Sequence, residues 1–345
     1  MLDFQPNDIG IKNGHIFALP HEYKDAELII LPVPWEVTVS YNTGAAHGPE
    51  AILEASAQLD LFDPFLKDAH KYGAYMLQIS EYWQQKNKQL RPKAAEYIRL
   101  LEHGVDVADN KSMQKNLEEM NVVCDELRTW VFEETDKIIR DGKLVALLGG
   151  DHSTPLGFIQ ALAQHHDNFG ILHIDAHADL RNAYEGFTYS HASIMYNAVQ
   201  TEQVKKLVQV GIRDISPEEY EITQTNSKLK TFFDWDINDK KIEGNSWKNI
   251  TDEIIAALPD KVYISFDIDG LQQMYCPNTG TPVAGGLTFD EAIYLVRKVV
   301  DSGKKIIGFD LNEVAPNPND KEWNANVGAR VLFKLCNQTI KSNLK

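Results

Sequence analysis

Hydrophobic residues fall into short, nearly continuous runs that alternate with stretches of helical periodicity. Leu28 to Val33 is the first such run and Pro34 ends it, as a proline stops a buried strand. Similar runs occupy Leu144 to Leu148, Gly170 to Ile174, Leu207 to Gly211, Leu229 to Phe233, Val262 to Phe266 and Lys305 to Phe309. Between them, Pro155 to His166, His191 to Val199, Trp247 to Leu258 and Thr288 to Val300 are predicted helices. From Met113 the apolar positions Leu117, Met120, Cys124, Leu127, Val131 and Ile138 recur at helical spacing as far as Gly142, which predicts one long amphipathic helix. A glycine-containing loop after Pro34 leads to a further helix with Pro49 near its first turn, with His47 just before it. Residues 1–26 read as a polar extension over the surface.

Apolar strands alternating with helices imply an α/β fold, a mainly parallel sheet covered on both faces in three αβα layers. Neither an internal repeat nor a linker interrupts residues 1–345, so one domain is expected. Residues 61–120 fit the alternation least and are read as a helical elaboration without a site-like grouping.

The polar departures from this pattern sit at strand ends. Gly170 to Ile174 runs into Asp175, His177 and Asp179, which alternate with alanines. In extended backbone all three point one way, with neighbours roughly 7 Å apart. Burying carboxylates side by side is costly unless a cation or hydrogen-bond donors compensate. Taken alone, D-x-H-x-D is as readily a polar loop as a metal site. Two more strands repeat the arrangement: Leu144 to Leu148 runs into G-G-D-H-S, which carries His152, and Val262 to Phe266 runs into D-I-D-G-L, which carries Asp267 and Asp269. In open parallel sheets ligands bind beyond the carboxyl ends of the strands. Four carboxylates and two imidazoles meeting there would repel one another unless two divalent cations balanced them, as in a dinuclear hydrolytic site. Oxygen-rich ligation without thiolate favours Mn²⁺, with Fe²⁺, Co²⁺ or Zn²⁺ as alternatives.

Composition narrows the partners. A formal charge of -16 argues against a nucleic-acid backbone or an anionic membrane, both of which require a basic face. The three cysteines form no C-x-x-C pair, which speaks against a disulfide framework and fits a reducing cytoplasm. No apolar run approaches membrane-spanning length and no export signal is legible, so a soluble, cytoplasmic protein acting on a small molecule is expected.

Together, G-G-D-H-S at Gly149 to Ser153, D-A-H-A-D at Asp175 to Asp179 and S-F-D-I-D-G-L at Ser265 to Leu271 resemble the signature motifs of the ureohydrolase family, which includes arginase, agmatinase and formimidoylglutamase. G-P-E-A-I-L at Gly48 to Leu53, T-G-T-P-V-A-G-G-L-T at Thr279 to Thr288 and G-F-D-L-N-E-V-A-P at Gly308 to Pro316 agree with it. The resemblance implies an arginase-like fold and two Mn²⁺ per subunit. One would be held by His152, Asp175, Asp179 and Asp267, the other by Asp175, His177, Asp267 and Asp269, with Asp175 and Asp267 bridging. Asp151 is expected to orient a ligand rather than to be one.

The resemblance further implies that a metal-bridging hydroxide attacks a guanidino or amidino carbon while Asp179 relays its proton. His191 would shuttle a proton to the leaving amine, and Glu313 would hold the guanidinium. Without the family, His191 reads as an N-terminal helix residue and Glu313 as a surface acid. Arg181 is expected to face the substrate tail, where it would suit a carboxylate and so disfavours agmatine, which has none, and Asp214, Ser216 and Glu219 fall where arginases contact the α-amino group. Arginases usually carry asparagine at the Arg181 position and an acid at the Ser216 position, whereas D-L-R after the ligands is similar to formimidoylglutamases. The intact His152 is more arginase-like. L-Arginine hydrolysis to L-ornithine and urea is therefore the first expectation, and formimidoyl-L-glutamate hydrolysis to L-glutamate and formamide the second. A homo-oligomer, trimer or hexamer, is also implied. Other classes are a fold-related deacetylase with one Zn²⁺ and a non-catalytic metal-binding protein. The second aspartate pair speaks against the former, and His191 with Glu313 against the latter.

Overall fold

All seven apolar runs form strands in the computed structural model, which describes residues 4–6, 9–317, 319 and 322–344. In chain order the strands are β1 (Leu28–Val33), β2 (Ala74–Met76), β3 (Leu144–Gly149), β4 (Phe169–Ile174), β5 (Val204–Ile212), β6 (Leu229–Phe233), β7 (Lys261–Asp267) and β8 (Lys305–Asn312). They make one eight-stranded parallel sheet in the order β2-β1-β3-β8-β7-β4-β5-β6. Side chains alternate between its faces with the two-residue period of a strand. Ile29, Leu31 and Val33 join Val145, Leu147 and Ile171 in one core, while Leu28 and Ile30 join Ala146, Leu148, Leu172 and Ile174 in the other.

Helices α2 (Glu81–Glu102), α3 (Lys111–Arg140) and α4 (Leu156–His165) pack on the first core. Helices α1 (Gly48–Ser56), α8 (Trp247–Ala256), α9 (Phe289–Asp301) and α10 (Trp323–Asn343) pack on the second. Shorter helices α5 (Ile194–Ala198), α6 (Pro217–Thr225) and α7 (Asp234–Ile242) complete the set. Their ends follow capping chemistry: the Asn110 side chain accepts the first N–H groups of α3, and Thr288 with Glu291 forms a capping box that starts α9.

Four details depart from the sequence reading. Residues 61–120 supply an edge strand, β2, besides helical structure. The predicted helix at His191 to Val199 is a 3₁₀ turn at His191–Ser193 followed by the short α5. The polar extension is anchored rather than superficial, because Phe17 is buried, its N–H donates to Ser56 Oγ (2.8 Å), and its ring meets Phe333 edge-on. The long C-terminal helix α10 was not foreseen.

β3, β8, β7 and β4 lie side by side in the middle of the sheet, so their carboxyl ends open into one place. The turn after β3 depends on Gly150, whose φ is +33°; a Cβ there would stand 2.4 Å from Trp35 O and 2.7 Å from Val33 O. Two residues on, His152 stands against the ends of β4 and β7, near Asp175, Asp267 and Ser265.

Candidate metal centre and active site

The six residues read as ligands converge. His152 Nδ1 lies 3.0 Å from Asp175 Oδ2, 3.2 Å from Asp179 Oδ2 and 3.3 Å from Asp267 Oδ2. His177 Nδ1 lies 3.1 Å from Asp269 Oδ2 and 3.5 Å from Asp175 Oδ1. Asp175 thus turns one oxygen to each histidine. Among the described residues two groups could each hold a cation: His152, His173, Asp175 and Asp179, and Asp175, His177 and Asp269. All but His177 are buried.

The loops aim these side chains by local hydrogen bonds. Asp267 Oδ1 accepts the N–H of Asp269 (2.8 Å), and Asp269 Oδ1 accepts that of Ala176 (3.0 Å), so the β7 and β4 ends are tied together. The Nε2 of His152 meets Ser265 Oγ (2.8 Å), which donates to Asp310 Oδ1 (3.0 Å); this leaves Nδ1 facing the carboxylates. Asp151, buried as well, accepts from the N–H of Ser153 (2.9 Å) and stays out of the cluster. Asp179 and Glu313 have left-handed backbones, φ 53° and 62°, a strain of roughly 1–3 kcal/mol each that is commonly stored at functional sites.

The electrostatics of the cluster fit a cation pair. Burial pushes the Asp179 carboxyl up to about 6, with Asp175 adding to the shift and His152 opposing it. Burial and the charges of Asp269 and Asp175 hold Asp267 well above the carboxylate range. Asp175 goes the other way: burial alone would raise it, but His173, His152 and His177 around it hold it well below. His152 and His177 are raised despite burial by the same aspartates. A divalent cation held by these groups would displace protons from His152 and His177 as well as from Asp179 and Asp267, so its affinity would rise with pH until all four had lost them. Calorimetric titration of metal-free protein with Mn²⁺ is expected to show at least about tenfold weaker binding at about pH 5.5 than at about pH 7.5. Equal affinity at both values would remove these four groups from the ligand set.

Over the cluster lies a cavity whose wall includes His152, His177, Asp179, His191, Asp267 and Glu313. Glu313 Oε1 accepts the N–H of His152 (2.8 Å), while its Oε2 is buried without a hydrogen-bond partner. Burial and the charges of Asp267 and Asp151 hold this carboxyl well above its ordinary range. His191 presents a buried Nδ1 that also lacks a partner, and burial together with His177, His152 and Arg91 lowers it to about 3. The outer wall holds Ser40, Arg181, Tyr184, Asp214, Glu219 and Thr281. The Arg181 guanidinium lies 4.7 Å from the Tyr184 ring centre, and its Nε is 3.4 Å from Glu219 Oε2.

Of the other residues expected to touch a substrate, Ser216 is drawn away. Its hydroxyl is in the capping box that begins α6, accepting from Glu219 N and donating to Glu219 Oε2 (2.8 Å). Glu219 also accepts the N–H of Leu180 (3.0 Å), so it ties α6 to the ligand loop as much as it lines the cavity.

Helices α2 and α3 reach the same rim. Asn87 Oδ1 accepts from Glu36 N and Arg91 Nη1 donates to Val37 O, bracing the loop that carries Ser40. Tyr97 Oη donates to Glu185 O, and Asn121 bonds both Gly186 O and Thr188 N, bracing the loop that carries Tyr184 and His191. Sequence reasoning missed these braces, and also His173, Gln209, Ser265 and Asp310 behind the cluster.

The arginase family model matches residues 26–337. The chain belongs to the arginase family. Within it, the N(1)-aminopropylagmatine ureohydrolase of Thermus thermophilus is 33% identical over 295 residues, 86% of this chain and 85% of that protein. The agmatinase of Neisseria meningitidis is 27% identical over 331 residues, 95% of this chain and 92% of that one. The proclavaminate amidino hydrolase from Streptomyces clavuligerus shares the fold, with a TM-score of 0.73 at 20% identity over 98% of this chain and all of that one. As an arginase-family member the chain is a hydrolase of the ureohydrolase type. No helix among the described residues is long and apolar enough to cross a membrane.

Proposed function

We propose that this enzyme is a dinuclear-manganese amidinohydrolase that cleaves the guanidino group of an amine-tailed alkylguanidine, of the agmatine or N(1)-aminopropylagmatine kind, releasing urea and the free amine. The observation that carries the reading is a buried cluster of mutually repelling carboxylates beneath a cavity in which Glu313 Oε2 has no partner. His152, Asp175, Asp179 and Asp267 would hold one cation, and Asp175, His177, Asp267 and Asp269 the other. The oxygen-rich donor set favours Mn²⁺. Such a pair supplies a water ionised near neutral pH and a Lewis acid.

The chain's own groups do the rest. Glu313 offers the guanidinium a buried acceptor, its unpartnered Oε2, and so fixes its plane over the cluster. Asp179 accepts the proton that the attacking water gives up. His191, whose Nδ1 lines the cavity without a hydrogen-bond partner, passes a proton to the departing nitrogen, which leaves as an amine rather than as an amide anion.

The tail preference rests on charge. With Glu313 given to the guanidinium and Glu219 paired with Arg181, the cavity wall still carries the carboxylate of Asp214 with no cation of its own. That excess of negative charge suits a substrate with a second cationic centre. Formimidoyl-L-glutamate brings two carboxylates and has only Arg181 to meet them. The names of the curated relatives point the same way. L-Arginine stands second, because Arg181 lines the cavity and is suited to an α-carboxylate.

The test is product release from Mn²⁺-loaded protein given N(1)-aminopropylagmatine, agmatine, L-arginine and formimidoyl-L-glutamate in parallel. Amine-tailed substrates are expected to exceed L-arginine in kcat/KM by at least about tenfold, and Arg181→Ala to leave them within about threefold. Faster urea release from L-arginine that collapses in Arg181→Ala would establish the second reading, and formamide from formimidoyl-L-glutamate alone would overturn both.

A further inference from the structure

One row of the sheet is polar where a parallel sheet buried on both faces is normally apolar. In register across β6, β5, β4, β7 and β8 stand Thr231, Gln209, His173, Ser265 and Asp310. Gln209, His173, Ser265 and Asp310 are fully buried. Buried polar groups are costly unless they are used. Ser265 and Asp310 serve His152, which leaves the other arm of the row to explain.

That arm ends on Asp175. Gln209 Nε2 donates to Ala178 O (2.7 Å), a carbonyl that can only accept, so the amide cannot be turned round. Its Oε1 then takes the Thr231 hydroxyl (2.9 Å), and its second N–H faces His173 Nδ1 (3.1 Å). A ring nitrogen that accepts carries no proton, so the proton of a neutral His173 is on Nε2, 2.7 Å from Asp175 Oδ2. The other Asp175 oxygen accepts the N–H of His177 (2.6 Å). Oδ2 thus takes the His173 N–H and lies 3.0 Å from His152 Nδ1, while Oδ1 takes the His177 N–H, so each oxygen has a fixed donor and faces a different histidine of the cluster.

We propose that His173, its tautomer set by Gln209, is a positioning residue that holds Asp175 as the bridge between the two cations. The inference rests on the two-cation reading above. A direct ligand role for His173 would require Nε2 to lose its proton while Gln209 donates to Nδ1, which leaves an imidazolate. Gln209 also grips the backbone at Ala178, between His177 and Asp179, so the same arm fixes the spacing of the ligand segment. Without it Asp175 keeps only the His177 N–H on Oδ1, and Oδ2 loses the donor that fixes its direction.

The test uses the full chain stripped with a chelator, titrated with Mn²⁺ by calorimetry and examined by electron paramagnetic resonance once loaded. Wild type is expected to take up two Mn²⁺ and show the spectrum of a coupled pair. His173→Phe is expected to bind at least one equivalent about tenfold or more weakly and to lose the coupled signal. His173→Gln, whose amide N–H reaches the place of Nε2, recovers most of both. Wild-type uptake and spectrum in a folded His173→Phe would overturn the proposal, as would a His173→Gln no better than His173→Phe. If His173→Phe does not fold, Gln209→Leu decides, because it keeps the ring and frees its tautomer; undiminished Mn²⁺ affinity there overturns the proposal. A wild type that takes up only one Mn²⁺ removes the two-cation reading and this inference with it.

Discussion

Asp267→Asn is expected to lower kcat/KM by at least about 10⁴, close to 5.4 kcal/mol of transition-state stabilisation, while the protein stays folded. The side chain changes by one atom, and the carbonyl oxygen of asparagine can still accept from Asp269 N, so the turn after β7 keeps its shape. What goes is the charge of a carboxylate proposed to touch both cations. Metal-free stability should move the opposite way. Burial, Asp269 and Asp175 raise the Asp267 carboxyl well above its unfolded value. A raised acid is fully compatible with the fold only while protonated, so it destabilises the metal-free protein increasingly as pH climbs past its unfolded pKa of about 4. Asparagine carries no such penalty. At neutral pH the metal-free variant should therefore melt above metal-free wild type, whereas saturating Mn²⁺ should raise wild type far more than the variant. Binding at a hundredfold excess over Kd adds about 2.7 kcal/mol per site. Two Mn²⁺ retained in Asp267→Asn with activity within about tenfold of wild type would remove Asp267 from the centre.

How much of this was legible follows residue by residue. Asp175, His177, Asp179, Asp267 and Asp269 stood out because acids and an imidazole break the apolar pattern where a strand ends; the extended alternation expected for them stops at Ile174, since Asp179 is left-handed and Asp269 sits in a 3₁₀ turn. His173 stands one step earlier in the same alternation, H-x-D-x-H-x-D from 173 to 179, but a single histidine inside an apolar run reads as core. Gln209 and Thr231 become visible only when register sets them beside it. Ser216 carries a local signal of another kind. S-P-E-E is a capping signature, serine followed three residues later by glutamate, and helix initiation accounts for it without a substrate.

The unforeseen elements were missed for equally physical reasons. β2 is three residues long and pairs only with β1, too short for any periodicity to register. α10 is buried on nearly every side between α1, α9 and β8, so its sequence lacks the polar stripe that marks a surface helix. The braces from α2 and α3 join residues far apart in sequence, such as Tyr97 to Glu185, which no local pattern encodes. They give the segment that was hardest to read a place at the rim of the cavity.

Glu313→Gln should cost about 10²- to 10³-fold in kcat/KM for a guanidino substrate, with Mn²⁺ stoichiometry unchanged. The neutral amide can still accept from the N–H of His152 through its oxygen, which preserves the link to the G-G-D-H-S turn. Its other end presents a donor where the carboxylate presented an acceptor, and two donors now face each other in a buried pocket. Loss of a charge-assisted hydrogen bond to a guanidinium, with the cation left partly unpaired, accounts for the magnitude. The loss should fall on both KM and kcat, since the same contact binds the substrate and holds its carbon in line for attack. Stability again separates a site residue from a structural one. Burial and its acidic neighbours raise Glu313 well above its ordinary range, so at neutral pH the carboxylate weakens the metal-free fold, and glutamine should strengthen it. A less stable Glu313→Gln with unchanged KM would make the residue a structural support of the β8 end instead, and the guanidinium would then need another acceptor in the cavity wall.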